Sequence, residues 1–197
     1  MSRGRGRRHD AIRRALADAA CSLIADEGAH ALTVRRVAAA ADASPGQVQH
    51  YFADRGELML GAFDAIQEQV ATEVATALPE SSSPGDVLRA VLAAMIPDDA
   101  AGMRRLRVMA QFETLALTEH ALAVRIREGH GRLRGFLGEL VASAAAVEAD
   151  VADDAAQRLL ATAEGLSGEV LLGQESAERA SRLLHAAVDE VLERTAG

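Results

Sequence analysis

Residues 33–55 (TVRRVAAAADASPGQVQHYFADR) constrain the fold more than any other stretch of this chain. Thr33 is a good helix N-cap, and Val34, Val37, Ala38 and Ala41 follow it at helical spacing. The run is then broken by Asp42-Ala43-Ser44-Pro45. Asp tolerates the left-handed backbone that a sharp turn needs, Ser can cap, and Pro at a first helical position starts a new helix. Gln47 lies three residues after Ser44, which predicts a capping box. The second segment, from Pro45 to about Phe52, has barely two turns before Asp54-Arg55-Gly56-Glu57 offers another box and a third helix. A helix this short is not stable alone and must be held by its neighbours. Its outer positions carry amides, an imidazole and an aromatic ring instead of an apolar face.

Helix, tight turn and short polar helix form the pattern in which the second helix enters the DNA major groove. Upstream and downstream the register continues. It reads Ile12, Ala19-Ala20, Leu23-Ile24-Ala25-Asp26-Glu27-Gly28 and Leu32-Thr33-Val34-Arg35-Arg36-Val37-Ala38, then Ser44-Pro45-Gly46-Gln47, His50-Tyr51-Phe52 and Arg55-Gly56-Glu57-Leu58. This stretch resembles the N-terminal domain of the TetR family of bacterial one-component repressors, over about the first third of the chain. Two positions depart from the family pattern. Asp42 stands where Gly is usual, and Gln49 stands where an aromatic is common, which changes the bases that could be read.

The resemblance implies roles residue by residue. Thr33, Arg35, Tyr51 and Arg55 fall where phosphate contacts are made, and Gln47, Gln49 and His50 fall on or beside the groove-facing surface. Arg36, Ser44, Pro45 and Gly46 complete the expected DNA-binding set. Gln47 has a competing use, because a side chain folded back onto Ser44 cannot reach a base. Gln49 has none, and an amide pairs bidentately with adenine, so Gln49 is the expected principal reader, with His50 next.

The net charge of −8 looks wrong for a DNA-binding chain until it is divided. Residues 1–60 hold nine Arg against seven acids, a net of +2; residues 61–197 hold twelve Arg against twenty-two acids, a net of −10. Such asymmetry is expected when only one end meets phosphate. Aromatics make up 3% of the residues and Ala is abundant, which favours closely packed helices over strands. The predicted fold is therefore all-α. A lone Cys21 excludes an internal disulfide, fits a reducing cytosol, and by its position is a buried small hydrophobe. Arg13, Arg14 and Asp18 interrupt any signal-peptide core, and no apolar run reaches membrane-span length, so a cytoplasmic protein is expected.

Along the chain, residues 1–9 (MSRGRGRRH) read as a basic disordered arm, either a solvated tail or a clamp on DNA. Residues 10–54 form the expected DNA-binding domain, whose first helix runs from about Asp10 to Glu27 with Gly28 as its stop. Residues 55–197 form the expected helical ligand-binding and dimerisation domain. It opens with a long helix carrying Met59, Phe63, Ile66, Val70 and Val74 on one stripe. Residues 79–85 (PESSSPG) are the clearest loop, and helices are predicted at about 84–95, 99–117, 119–146, 152–172 and 176–195. The last helix carries Ala180, Leu183, Leu184, Ala187, Val188 and Val191 on an arc wider than one docked face needs. With Leu159, Ala163, Leu166 and Val170 on the preceding helix, this predicts a homodimeric four-helix seam; burial of both arcs within one chain is the alternative.

No metal-ligand spacing, nucleophile elbow or phosphate-cradling loop appears, so no cofactor, metal or enzymatic activity is expected. The rival reading, an Ala-rich helical enzyme, would need a paired acid/base site, and Glu113 with His130 is the sole pairing on offer. On the helix at 99–117, a 100° wheel puts Arg104, Arg107, Gln111 and Thr114 towards solvent, and Arg105 and Glu113 inside an apolar arc. A charge buried there needs a partner or a ligand. Arg105 reads as a structural or dimer-seam charge and Glu113 as a pocket residue. His130 and Glu164 lie at the edges of apolar stripes, and Phe63, Met103, Met109, Phe112 and Phe136 are candidate lining residues for a small-molecule inducer. The expectation is a regulator of transcription that leaves a palindromic DNA operator when that inducer binds. An activator, or a regulator without a ligand, has the same sequence signature.

Overall fold

The computed structural model describes residues 3–194, with side chains over residues 8–193. Among these the architecture is all-helical: α1 (Arg3–Glu27), a 3-10 turn (Ala29–Ala31), α2 (Val34–Ala40), α3 (Pro45–Tyr51), α4 (Arg55–Ala77), α5 (Pro84–Ala93), α6 (Ala100–Ala116), α7 (His120–Ala145), α8 (Ala149–Leu171) and α9 (Ala177–Arg194). The first helix begins at Arg3, not near Asp10, so most of the expected disordered arm continues α1. Met1 and Ser2 of that arm lie outside the described residues, as do the side chains of Arg3, Arg5 and Arg7. Propensity explains the extension, since Arg is a good helix former and the two Gly residues are single interruptions in the run.

The chain divides into two compact units, Met1–Gln69 with Arg107–Ile126, and Val70–Leu106 with Arg127–Gly197. The core of the first is built from Leu16, Ala20 and Ile24 of α1, Val37 of α2, Val48 of α3 and Leu58, Ala62 and Phe63 of α4. Phe52 fills the space under α3, and Val108, Phe112 and Leu122 close the core. Phe63 and Phe112 meet edge to face at 5.9 Å, the favoured geometry for aromatic quadrupoles. Gly61 is required by this packing, because a Cβ there would stand 2.3 Å from the Phe52 ring.

In the second unit, Ala152, Ala155, Ala156 and Ala163 give α8 a small-residue face that lets neighbouring helices approach closely. Leu88 and Leu92 of α5, Leu137 and Val141 of α7, and Ala180, Leu184 and Val188 of α9 complete its core. The Ser83–Asp86 capping box starts α5 with both reciprocal bonds present. Arg89 of α5 donates to Asp189 of α9 from Nε and Nη2 at 3.2 and 2.7 Å. Ser167, buried on α8, keeps its hydroxyl 2.8 Å from the Met95 carbonyl, so no buried side-chain N or O is left unsatisfied among the described residues.

The arcs of α8 and α9 are largely filled from within the chain. Leu159, Ala163, Val170, Ala180, Leu184 and Val188 are all buried, which corrects their assignment to a dimer seam. The physical reason is that α9 already has helical neighbours on two sides, α8 and α5. Of the expected seam residues, Leu183 is 45% exposed, and Leu166, Ala187 and Val191 are partly so.

Candidate nucleic-acid interface

The turn between α2 and α3 is made by local chemistry that the sequence spells out. Asp42 sits at φ 50, in the left-handed region where a Gly would carry less strain. The Ala43 N–H reaches back to the Ala38 carbonyl at 2.9 Å, which ties off the end of α2. Thr33 caps α2 by accepting the Arg36 N–H at 3.3 Å, and Ser44 caps α3 by accepting the Gln47 N–H at 3.1 Å. The return half of the Ser44–Gln47 box is not among the described hydrogen bonds. The Gln47 amide therefore escapes the local use that would have withheld it from a base.

Val48 on α3, with Phe52 just after it, is the anchor that holds this short helix down. Pro45, Gly46, Gln47, Gln49 and His50 all face solvent, as do Thr33, Arg35, Arg36 and Ser44; Tyr51 is half-buried. The expected DNA-binding residues of α2 and α3 are thus exposed, apart from half-buried Tyr51. Gly46 is helical without a positive φ, and a Cβ placed on it would meet nothing within 4 Å. The fold does not need a Gly there, but a surface that must come close to another backbone does.

Two expected contacts are partly engaged elsewhere. The Arg55 guanidinium donates to the Leu32 carbonyl from Nε at 3.2 Å and to the Ala29 carbonyl from Nη2 at 3.0 Å. With these two bonds Arg55 clamps the start of α4 to the 3-10 turn, and the guanidinium keeps further donors beyond them. Arg36 forms an ion pair with Glu27, and the hydrogen bond from its guanidinium holds the Glu27 carboxyl below the usual carboxylate range.

Other features were not legible in the residue pattern. Gln111 of α6 donates to the Ile24 carbonyl at 2.9 Å and accepts the Ala29 N–H at 2.6 Å, so it is not on a solvent face. Arg125 of α7 holds Asp64 of α4 with two bonds of 2.9 and 2.6 Å. His9 of α1 packs its ring against Tyr51 of α3, centroid to centroid 4.6 Å. Cys21 is partly buried where full burial was expected, and desolvation, reinforced by Asp18, pushes its thiol up to about 12.

The candidate ligand residues divide between the two units. Phe63 and Phe112 are fully buried in the first unit's core, with Met109 packed against it. Glu113 is exposed, which corrects its placement inside the apolar arc of α6. In the second unit Arg105 pairs with Glu73 at 3.3 Å, as a structural charge should. Met103 packs against the core, Phe136 is 44% exposed, and His130 faces Glu164 at 3.4 Å across α7 and α8. Sequence reasoning chose His130 and Glu164 separately, and the fold makes them a pair. The enzyme rival paired His130 with Glu113; the partner His130 has is Glu164. Among the described residues no group of three His, Cys, Asp or Glu could hold a metal ion. No described helix is long and apolar enough to cross a membrane.

Comparison with known proteins agrees with this geometry. Residues 16–62 match the family described as bacterial regulatory proteins, tetR family, and residues 84–193 match the BetI-type transcriptional repressor C-terminal domain. The chain is similar to the HTH-type transcriptional regulator PksA of Bacillus subtilis, 24% identical over 83% of this chain and 80% of that protein. It is also similar to the HTH-type transcriptional regulator BetI of Rhizobium meliloti, 28% identical over 41% of this chain and 39% of that protein. A crystal structure of a TetR-family regulator from Rhodococcus sp. superposes with a TM-score of 0.80 at 25% identity, covering 92% of this chain and 98% of that one. A regulator from Saccharomonospora viridis, solved in complex with choline, shares the fold with a TM-score of 0.77 at 17% identity, covering 90% and 95% of the two chains. With both halves matched and an exposed polar recognition helix in place, this chain is a DNA-binding transcriptional regulator and belongs to the TetR family.

Proposed function

We propose that the protein is a homodimeric repressor that leaves a palindromic operator when a small molecule binds its helical domain. The observation that carries this reading is the exposed polar surface of α2 and α3, mounted on a core to which α6 and α7 also contribute. α4, α6 and α7 each supply residues to both compact units. A ligand that favours one arrangement of these helices would shift the population of heads able to bind DNA. Two heads in a symmetric dimer place their α3 helices in successive major grooves, one helical turn apart.

Dimerisation is supported by the outer surface of α8 and α9. A groove of about 490 Å³ there is lined by Val151, Arg158, Thr162, Ala187, Glu190 and Val191 together with the edge of Leu159. Val151 is 44% exposed, and Leu172 and Leu183 add further apolar surface at 71% and 45%. The groove beside exposed Val151 is the part of this surface where apolar side chains lie together, as at an interface.

The inducer reading draws its support from the family and from the choline-bound neighbour, whose 17% identity speaks for the fold alone. Quaternary ammonium ligands are commonly held against aromatic faces. In the second unit Phe136 is the sole Phe, Tyr or Trp, and Phe63 and Phe112 of the first are buried against each other. Phe136 alone does not make an aromatic cage, which speaks against a quaternary ammonium inducer for this chain. The test of the whole reading is selection of bound duplexes from a random pool. An inverted repeat whose binding is relieved by a compound that also raises the melting temperature supports it. Recovery of asymmetric sites, or of no preferred sequence, overturns it.

A further inference from the structure

Three rings meet where α1 passes the end of α3. His9 belongs to α1, whereas His50 and Tyr51 end α3. The His9 ring centroid lies 4.6 Å from that of Tyr51 at a tilt of 47°, and 6.4 Å from that of His50. His50 and Tyr51 meet edge to edge-on face at 5.2 Å. The cluster exists because α1 does not begin near Asp10. It continues upstream to Arg3, so that residue 9 is carried on a rigid helix past the end of α3.

The cluster is not core. The His9 side chain is 53% exposed, and His50 is exposed as well. On its own helix His9 faces Asp10, with Nδ1 3.7 Å from Oδ1; Nε2 has no partner among the described residues. Tyr51 is half-buried, so packing of His9 on its ring fixes both the ring and the imidazole beside it. With Nδ1 turned towards Asp10, Nε2 is the ring nitrogen left to donate to an external acceptor. Charge-assisted donation to a phosphate oxygen is among the stronger hydrogen bonds available to a side chain.

We infer that His9 is an operator-contact residue: its ring packs on Tyr51 at the end of α3 and its outer ring N–H donates to a backbone phosphate. The recognition surface thereby extends from α2 and α3 onto the N-terminal part of α1. This rests on the reading of the α3 face as the DNA-binding surface. Because phosphate contacts position a protein without reading bases, loss of His9 weakens binding to all sequences alike.

The experiment uses the full chain and a duplex selected by the wild type. His9→Ala and His9→Phe are both expected to weaken binding about five- to tenfold on operator and scrambled duplex alike, with melting temperature unchanged. His9→Phe keeps a ring on Tyr51 but has no N–H, whereas His9→Arg restores an N–H donor and is expected within about twofold of wild type. In ethylation interference, one modified phosphate per half-site should block the wild type and leave His9→Phe unaffected. Full affinity in His9→Phe would mean that the ring only supports Tyr51, and full affinity in His9→Ala that it does nothing; either result overturns the inference. If the wild type selects no duplex at all, it is the DNA-binding reading that fails, and the two failures are distinct.

Discussion

Gln111 caps the end of α1: its side-chain nitrogen donates to the Ile24 carbonyl at 2.9 Å, a carbonyl that also accepts the Gly28 N–H at 2.9 Å. The same amide takes the Ala29 N–H on its oxygen, so one side chain from α6 satisfies backbone groups on both sides of the Gly28 turn. Gln111→Ala leaves the Ala29 N–H without a protein partner and the Ile24 carbonyl with the Gly28 N–H alone. Each such loss in a partly buried setting costs ~1–3 kcal/mol. We expect a lower denaturation midpoint in urea and weaker operator binding in that variant, with Gln111→Glu intermediate because the acceptor survives. An unchanged midpoint in Gln111→Ala would show that water replaces the amide at no cost.

Gly46 separates folding from binding. A methyl group there meets nothing in the protein, and replacing Gly by Ala inside a helix stabilises by roughly 0.5–1 kcal/mol. Gly46→Ala should therefore melt at or above the wild-type temperature yet bind operator more weakly, because the methyl stands between α3 and DNA. Calorimetry and a binding titration on the same sample check this. Wild-type affinity in a stabilised variant would place the groove-facing surface elsewhere.

Leu183 and Leu184 are neighbours with opposite expectations. Leu184 is 2% exposed inside its own chain's core, and Leu183 is 45% exposed on the outer surface of α9. Leu184→Glu buries an unpaired carboxylate and should unfold the second unit, as followed by circular dichroism. Leu183→Glu should leave the helical signal intact and shift light scattering from dimer to monomer. A dimer that survives Leu183→Glu, alongside a folded Leu184→Glu, would contradict the seam.

Choline gives a fourth expectation. Without an aromatic cage in the helical domain, millimolar choline should leave the melting temperature of this protein unchanged. A shift of several degrees would point to a cation site built from carboxylates or to opening of the Phe63–Phe112 pair.

The parts legible in the sequence were those governed by nearest neighbours along the chain. Thr33, Ser44 and Ser83 cap the helices they precede, and Asp42 takes the left-handed turn its residue type allows. Side-chain roles that depend on a distant element were not legible. The helical wheel put Gln111 on a solvent face because a wheel records period and not neighbours, and the end of α1 occupies that side. Glu113 was placed in an apolar arc although α6 has different surroundings along its length, its first part in one unit and its remainder in the other. The wide arc of α9 suggested a partner chain, yet α5 and α8 of the same chain cover most of it. Arg55 matches a phosphate position in the family pattern, and nothing local shows that its guanidinium also donates to the carbonyls of Leu32 and Ala29.

The most direct test of the account is the affinity of wild type and Gln49→Ala for the selected operator and for scrambled DNA, at one fixed salt concentration. Gln49 is exposed on α3, and a bidentate amide–adenine pair is worth ~1–3 kcal/mol of discrimination. The account expects Gln49→Ala to lose that amount on the operator, to bind scrambled DNA as the wild type does, and to lose discrimination at one symmetric base position. Equal loss on both duplexes, or no loss on either, would contradict the claim that this face of α3 reads sequence.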